Sequence, residues 1–229
     1  LSRHCPGKGP STIGYIGISL INGNGFTQFH MVPHVFTGEQ SLTRDDKLPY
    51  TTRQRGLQRG GVIAYPTETV YGLGCDPRCH DALARILAIK RRPWQKGFIV
   101  IAASYAQLLH FIAPLDESLL TPILATWPGP VTWLVPARPD CSPLLRGTHD
   151  TLAVRVSSHP VARSLCRRFG GAIVSTSANL SGQPPARNFL SVMKHFHRAV
   201  DYVVPGAGNP DAKPSEIRDA KSSRIVRPG

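Results

Sequence analysis

Gly60-Gly61-Val62-Ile63-Ala64-Tyr65-Pro66-Thr67-Glu68-Thr69-Val70-Tyr71-Gly72-Leu73-Gly74 reads as a buried strand that opens into a polar loop. The paired glycines can end a helix, Val62 to Tyr65 are strand formers, Pro66 stops the hydrogen-bonding ladder, and hydroxyls and glycines follow. In open α/β sheets such strand ends are where ligands bind, because backbone groups and short side chains converge there without steric cost. Taken alone, the stretch is equally an ordinary buried strand with a turn. Its weight comes from the segments around it.

Working outward, Asp81 to Lys90 sets Leu83, Ile86, Leu87 and Lys90 at helical spacing and stops before Pro93, which predicts a helix. Phe98 to Ala102 is predicted as a strand, Tyr105 to Phe111 and Asp116 to Trp127 as helices, and Pro128-Gly129-Pro130 as a hard stop. Val131 to Val135 and Leu152 to Val156 are predicted strands, joined by a loop rich in Pro, Arg and His. Pro160 opens a helix that Gly170-Gly171 ends, Ala172 to Ser175 is a strand, and Asn188 caps a helix running to Phe196. Short strands are expected near Tyr202 to Val204, Glu216 to Arg218 and Ile225 to Val226. The irregular alternation predicts an α/β fold of α+β-like character: one layered domain over residues 50–229, with a twisted mixed β-sheet flanked by helices.

Upstream, Thr51 to Arg59 is expected to form a short helix capped by Thr51 or Thr52. Residues 1–49 are expected to be an N-terminal extension, disordered or non-native. Met31 is the first methionine, so one expectation is that residues 1–30 precede the natural start. The apolar run from Ile13 to Ile21 lacks a small-residue cleavage pattern and is not taken as a signal peptide.

The 229 residues carry a formal charge of +13, and residues 1–50 contribute only one of those charges net, so the basic balance belongs to the predicted domain. Such an excess favours polyanionic partners and salt-dependent binding, although many basic proteins carry it as solvated surface. No stretch approaches a membrane span. Cys5, Cys75, Cys79, Cys141 and Cys166 are odd in number and scattered, which fits reduced thiols and a cytoplasmic location. Cys75, Cys79 and His80 offer three soft ligands where structural zinc wants four, so no metal site is predicted.

Four further segments carry chemistry: Lys90-Arg91-Arg92-Pro93-Trp94-Gln95-Lys96-Gly97, Trp127 to Thr132, Leu152 to Val156, and Ser175-Thr176-Ser177-Ala178-Asn179-Leu180-Ser181-Gly182. The phosphate-binding loop, dinucleotide fingerprint, nucleophile elbow and zinc-protease motifs are all absent from the sequence. Lys90, Arg92 and Lys96 on one short turn can neutralise a triphosphate, with Arg able to grip two oxygens. Equally, cations at a helix C-terminus complement its dipole. The Ser175 to Asn179 hydroxyls and amide can present donors to phosphate, or can simply form turns and caps.

In this order and spacing, the five segments resemble the YrdC/TsaC family in its short bacterial form, from about Gly60 onward. The resemblance implies a threonylcarbamoyl-AMP synthase: L-threonine, bicarbonate and ATP give threonylcarbamoyl-adenylate and pyrophosphate, the first step of t6A modification of tRNA. It puts the family's nucleotide-site pairs on Lys90 and Arg92 and on Ser177 and Asn179. Thr67, in the Pro66-Thr67-Glu68 loop, falls in the threonine pocket. Lys96, Thr132, Arg155, Ser175, Arg187 and Ser215 match further substrate-binding positions. Gly97 departs from the Pro that many relatives have there. Mg²⁺ carried by ATP, hand-over to separate t6A transferase proteins, and contact with tRNA or double-stranded RNA are also implied. The alternative is a non-catalytic RNA-binding protein acting through its basic surface in tRNA or rRNA maturation. ATP consumption that depends on threonine separates the two.

Overall fold

A computed structural model describes residues 56–206 and 214–229 throughout, with the backbone of Tyr15–Ile21 and Thr27–Pro33. Two compact units divide the chain, Pro6–Leu48 and Pro49–Gly229, the latter taken with Leu1–Cys5. In the first unit β1 (Tyr15–Ile21) and β2 (Thr27–Pro33) form an antiparallel pair from Tyr15↔Pro33 to Ile21↔Thr27. The sequence between them, Asn22-Gly23-Asn24-Gly25, is of the kind that closes hairpins. Otherwise the expected 1–49 extension lies outside the described residues, as do Thr51 and Thr52. Of the predicted 51–59 helix, residues 56–58 are helical and Leu57 is buried.

In the second unit β3 (Ile63–Pro66) is buried at every position. It turns back through Thr67–Val70 into β4 (Tyr71–Gly74), paired antiparallel from Ile63↔Gly74 to Pro66↔Tyr71. The loop expected to run on to Gly74 is therefore only four residues long. Gly72 and Gly74 belong to a strand because the Tyr65 ring lies against them: a Cβ on Gly74 would meet Tyr65 Cε1 at 2.8 Å and the Val174 carbonyl oxygen at 2.6 Å.

The remaining elements are α1 (His80–Lys90), β5 (Ile99–Ala102), α2 (Glu117–Ala125), β6 (Val131–Pro136), α3 (Pro143–Arg146) and β7 (Thr151–Val156). They continue with α4 (Pro160–Phe169), β8 (Ile173–Ser177), α5 (Phe189–Phe196), β9 (Tyr202–Val203), β10 (Glu216–Asp219) and β11 (Ile225–Arg227). As predicted, Gly170 ends α4 in the left-handed region at φ 79°, and the Asn188 side chain accepts the Ser191 N–H at 2.9 Å to cap α5. The helix predicted from Tyr105 shortens to a 3-10 turn, Tyr105–Gln107. There the chain is drawn to the C-terminal end of β6 instead, where Ala113 N–H donates to the Pro136 carbonyl at 2.9 Å and Ile112 bridges Ala137.

Nine strands form one mixed sheet in the order β11-β10-β6-β7-β5-β8-β4-β3-β9. The pairs β10–β6, β7–β5 and β3–β9 are parallel and the others antiparallel. The α/β class with a mixed sheet and flanking helices is thus as expected. Alternation along the strands sorts the core into two layers. Val62, Ala64, Val100, Ala102, Val154 and Val174 face one layer with Leu83, Ile86, Ile123, Val192 and Phe196 from the helices. Ile63, Tyr65, Ile101 and Ile173 face the other with Ala162, Leu165 and Phe169 of α4. Helix α4 covers that second face over β3 and β5, with Ile173 of β8 in the same layer. Cys75, Cys141 and Cys166 are free and buried, whereas Cys79 is disulfide-bonded, contrary to the expectation of reduced thiols throughout. Among the described residues no helix is long and apolar enough to cross a membrane.

Candidate functional site

Past the edge of α4 the second face of the sheet is open, and a cavity of about 570 Å³ lies on it. The alternation that buries Leu152, Val154 and Val156 of β7 on one side presents Ala153 and Arg155 to this cavity. Leu134 of β6, Ile99 of β5, and Ile217 and Val226 from β10 and β11 complete an apolar floor. Floors of this kind accept a flat ring, with polar groups at the rim to orient it.

One wall is the β3–β4 loop. Thr67 is held there by its hydroxyl, which donates to the Val70 carbonyl at 2.6 Å. Glu68 reaches across to β7, where one carboxylate oxygen accepts from Arg155 Nη2 at 3.3 Å and the other from the Ser157 hydroxyl at 2.7 Å. Burial alone would raise the Glu68 carboxyl, but Arg155 and the Ser157 hydroxyl outweigh it and hold the group below the usual carboxylate range. Arg155 Nε is buried with no hydrogen-bond partner.

The opposite wall is cationic. Helix α1 ends at Arg91 in the left-handed conformation, φ 48° and ψ 47°, with Arg92 N–H returning to the Leu87 carbonyl at 3.0 Å. That turn separates the two cations beside it: Lys90 goes inward and Arg92 lines the cavity. Arg92 Nη2 donates to the Gly97 carbonyl at 3.1 Å, and its Nε is buried without a partner. Lys96 ends the 3-10 turn Trp94–Lys96, and Gly97 at φ 55° allows that turn to lie against α3, since a Cβ there would meet Arg146 backbone at 2.8 Å. Arg146 and Arg227 add further charge, tied to the carbonyls of His149 and Ser215, each at 2.7 Å. Among the described residues the lining therefore holds five cationic side chains, Arg92, Lys96, Arg146, Arg155 and Arg227, against one carboxylate, Glu68. Its electrostatics suit a polyanion with a single place for a cation.

The third wall is the end of β8, where Ser175, Thr176 and Ser177 line the cavity. The Ser177 hydroxyl donates to Asn179 Oδ1 at 2.6 Å. Behind it Lys90, 2% exposed, donates through Nζ to Asn179 Oδ1 and the Asn179 carbonyl, each at 2.9 Å, and to the Ser177 carbonyl. Burial, with the like charge of Arg92, pulls its ammonium down to about 8.

Of the residues predicted from sequence, Thr67, Arg92, Lys96, Arg155, Ser175, Ser177 and Ser215 line this one cavity. Thr132 is fully buried beneath it, donating its hydroxyl to Ser215 Oγ at 3.2 Å. Lys90 and Asn179 stand behind the Ser177 wall, and Arg187 is exposed outside the lining. Arg146, His149 and Arg227 line the cavity without having been singled out from sequence. The Arg- and His-rich loop before β7 was the visible signal for the first two. Cys75 and Cys79 pack in the first core layer while His80 is exposed. Among the described residues no group of three or more His, Cys, Asp or Glu side chains is arranged to hold a metal ion.

Residues 55–229 match the model of the Sua5/YciO/YrdC family, described as telomere recombination. The threonylcarbamoyl-AMP synthase of Nitrosococcus oceani is 53% identical over 173 residues, covering 76% of this chain and 94% of that protein. The enzyme of the same name from Hahella chejuensis is 49% identical over 171 residues, covering 75% and 93%. Among solved structures, P. abyssi Sua5 complexed with L-threonine matches at a TM-score of 0.72 and 30% identity over 77% of this chain. The chain spans about half of that Sua5, 53% of its length.

Proposed function

The chain belongs to the Sua5/YciO/YrdC family, and from that premise we propose that it is a threonylcarbamoyl-AMP synthase, a nucleotidyltransferase that makes L-threonylcarbamoyladenylate for t6A modification of tRNA. One observation carries the reading: among the described residues a single carboxylate, Glu68, sits in a cavity lined by five cations and a row of hydroxyls. Polyphosphate and zwitterionic amino acid together match that layout, the phosphates meeting Arg92, Lys96, Arg146 and Arg227, and the α-ammonium meeting Glu68.

The chemistry asks for no covalent nucleophile on the enzyme. The proton lost from the threonine ammonium goes to bicarbonate, which gives CO2 and water; the amine takes up CO2 as a carbamate with loss of a second proton to solvent, and a carbamate oxygen attacks the α-phosphorus. Pyrophosphate leaves. Glu68, kept ionised by Arg155 and Ser157, holds and orients the ammonium rather than taking its proton. Thr67 and Ser175 flank the same region, and the Ser177 hydroxyl orients a phosphate oxygen. Arg92 and Lys96 oppose the charge that grows on the departing pyrophosphate, so catalysis is positioning plus electrostatic stabilisation. Mg²⁺ enters as part of the Mg-ATP substrate. The apolar floor of Leu134, Ala153 and Ile217 receives the adenine.

The same reading places the enzyme in the cytoplasm, with residues 50–229 as its catalytic domain. Its mixed anhydride passes to t6A transferase proteins, with tRNA contact through the basic surface. The test is incubation of the full chain with ATP, L-threonine and labelled bicarbonate. Label should enter an adenylate, with pyrophosphate released only when threonine is present. ATP turnover indifferent to threonine, beside salt-sensitive RNA binding, would instead support the non-catalytic RNA-binding alternative.

A further inference from the structure

The segment from Ser177 to Ala186 is a partition with space on both sides. Ser177 and Pro185 face the 570 Å³ cavity, while Ala178, Asn179, Leu180 and again Pro185 line a second cavity of about 510 Å³ between this segment, α1 and α5. A wall open on both sides cannot be held by core packing alone. Backbone bonds between Ala178, Ala186 and Tyr71 of β4 fix its two ends, and between those ends Lys90 holds it. Its ammonium takes the carbonyls of Ser177 and Asn179 and the Asn179 side-chain oxygen, while its own carbonyl accepts the Ser181 N–H at 2.9 Å. One residue thus ties down the wall through side chain and backbone. Asn179 Nδ2 adds a bond to the Gln183 carbonyl at 2.6 Å, which closes the loop upon itself.

We propose that Lys90 is a positioning residue: it fixes the Ser177–Asn179 wall from behind, and acts on the substrate only through that wall. The route is traceable atom by atom. Lys90 Nζ donates to Asn179 Oδ1, the same oxygen accepts the Ser177 hydroxyl at 2.6 Å, and Ser177 faces the cavity. With its hydrogen committed to Asn179, Ser177 can donate to a phosphate oxygen only by releasing that bond, and Lys90 keeps Asn179 Oδ1 in place when it does. Arg92, two residues on, is the direct contact of the pair. All three ammonium hydrogens of Lys90 are taken by the wall's oxygens, leaving none for phosphate. The inference rests on the proposed synthase activity only for its kinetic readout.

The test compares Lys90→Met with Arg92→Ala in the full chain, by ATP calorimetry, threonine-dependent pyrophosphate release and amide hydrogen exchange. Lys90→Met should bind ATP within about threefold of wild type yet turn over roughly a hundredfold more slowly, since orientation rather than affinity is lost. Amides of residues 178–181 should exchange faster in it. Arg92→Ala should lose more than tenfold in ATP affinity, as removal of a charged contact does, with loop exchange unchanged. Lys90→Met that loses ATP affinity as severely as Arg92→Ala, with unaltered loop exchange, would make Lys90 a phosphate ligand and overturn the proposal. Should Lys90→Met not fold, Lys90→Gln carries the same prediction, because it removes the ammonium and leaves the Asn179–Gln183 bond in place: faster 178–181 exchange supports the clamp, and unchanged exchange sinks it. A wild type lacking threonine-dependent turnover would refute the synthase reading alone, since the exchange comparison still judges the clamp.

Discussion

Two halves of the same sheet face were given opposite uses. Over β3, β5 and β8 the second face is covered by α4 and packed with Ile63, Tyr65, Ile101 and Ile173. Over β7, β6, β10 and β11 it is left bare, and the corresponding positions carry Arg155, Thr132, Leu134 and Ile217 around a cavity. The border runs between two paired residues, Ile101 of β5 and Arg155 of β7. Crossing it changes the residue from core to site without changing the backbone. The strand scaffold is therefore indifferent to function, and one helix's footprint decides where a ligand can go.

Substitutions on either side of that border sharpen the contrast, and the largest effect belongs to the covered half. Ile101→Ala, at a fully buried position, should cost about 2–5 kcal/mol of unfolding free energy in denaturant titration, with the KM values of the folded enzyme unchanged. A change in threonine KM as large as the stability loss would erase the border. Arg92→Ala, in the open half, should leave stability nearly intact and cut pyrophosphate release by about two orders of magnitude, roughly 2.7 kcal/mol in the transition state. Ser157→Ala frees one oxygen of Glu68 and should raise the threonine KM about tenfold, which calorimetry with threonine would check.

The same variant changes the acid limb. Because the folded-state pKa of Glu68 lies below its unfolded value, its ion pair adds stability that is fully present above the unfolded carboxylate pKa and is lost as pH falls through the folded one. Ser157→Ala should therefore lose stability at a higher pH than wild type in acid titrations. Smallest of all, Arg91→Gly relieves a left-handed backbone at an exposed site and should stabilise the fold by about 0.5–1 kcal/mol. A loss of stability there would mean that the Arg91 side chain contributes what its backbone costs.

How far the sequence foretold this depends on what each residue answers to. Helix α1, the Asn188 cap and the Gly170 stop follow from local chemistry, and their positions could be read directly. The extension of β4 through Gly72 and Gly74 could not, because it depends on where the Tyr65 ring lies. Arg92 and Lys96 reach the cavity as a cationic turn should, but the inward course of Lys90 is set by the backbone of Arg91, a non-glycine residue in a conformation that composition does not announce. Arg227 carried no local signal at all. It joins the cavity because β10 pairs in parallel with β6, a contact between segments far apart in the chain.

That last pairing has a consequence for how the protein comes into being. Glu68 and Arg227 border one cavity, yet most of the described chain lies between them. A folding chain can complete much of its hydrophobic layers before that cavity's last wall is joined to the sheet. A ligand spanning both walls rewards only the joined sheet, so ATP-dependent protection from proteolysis should reach the β3–β4 loop and β11 together.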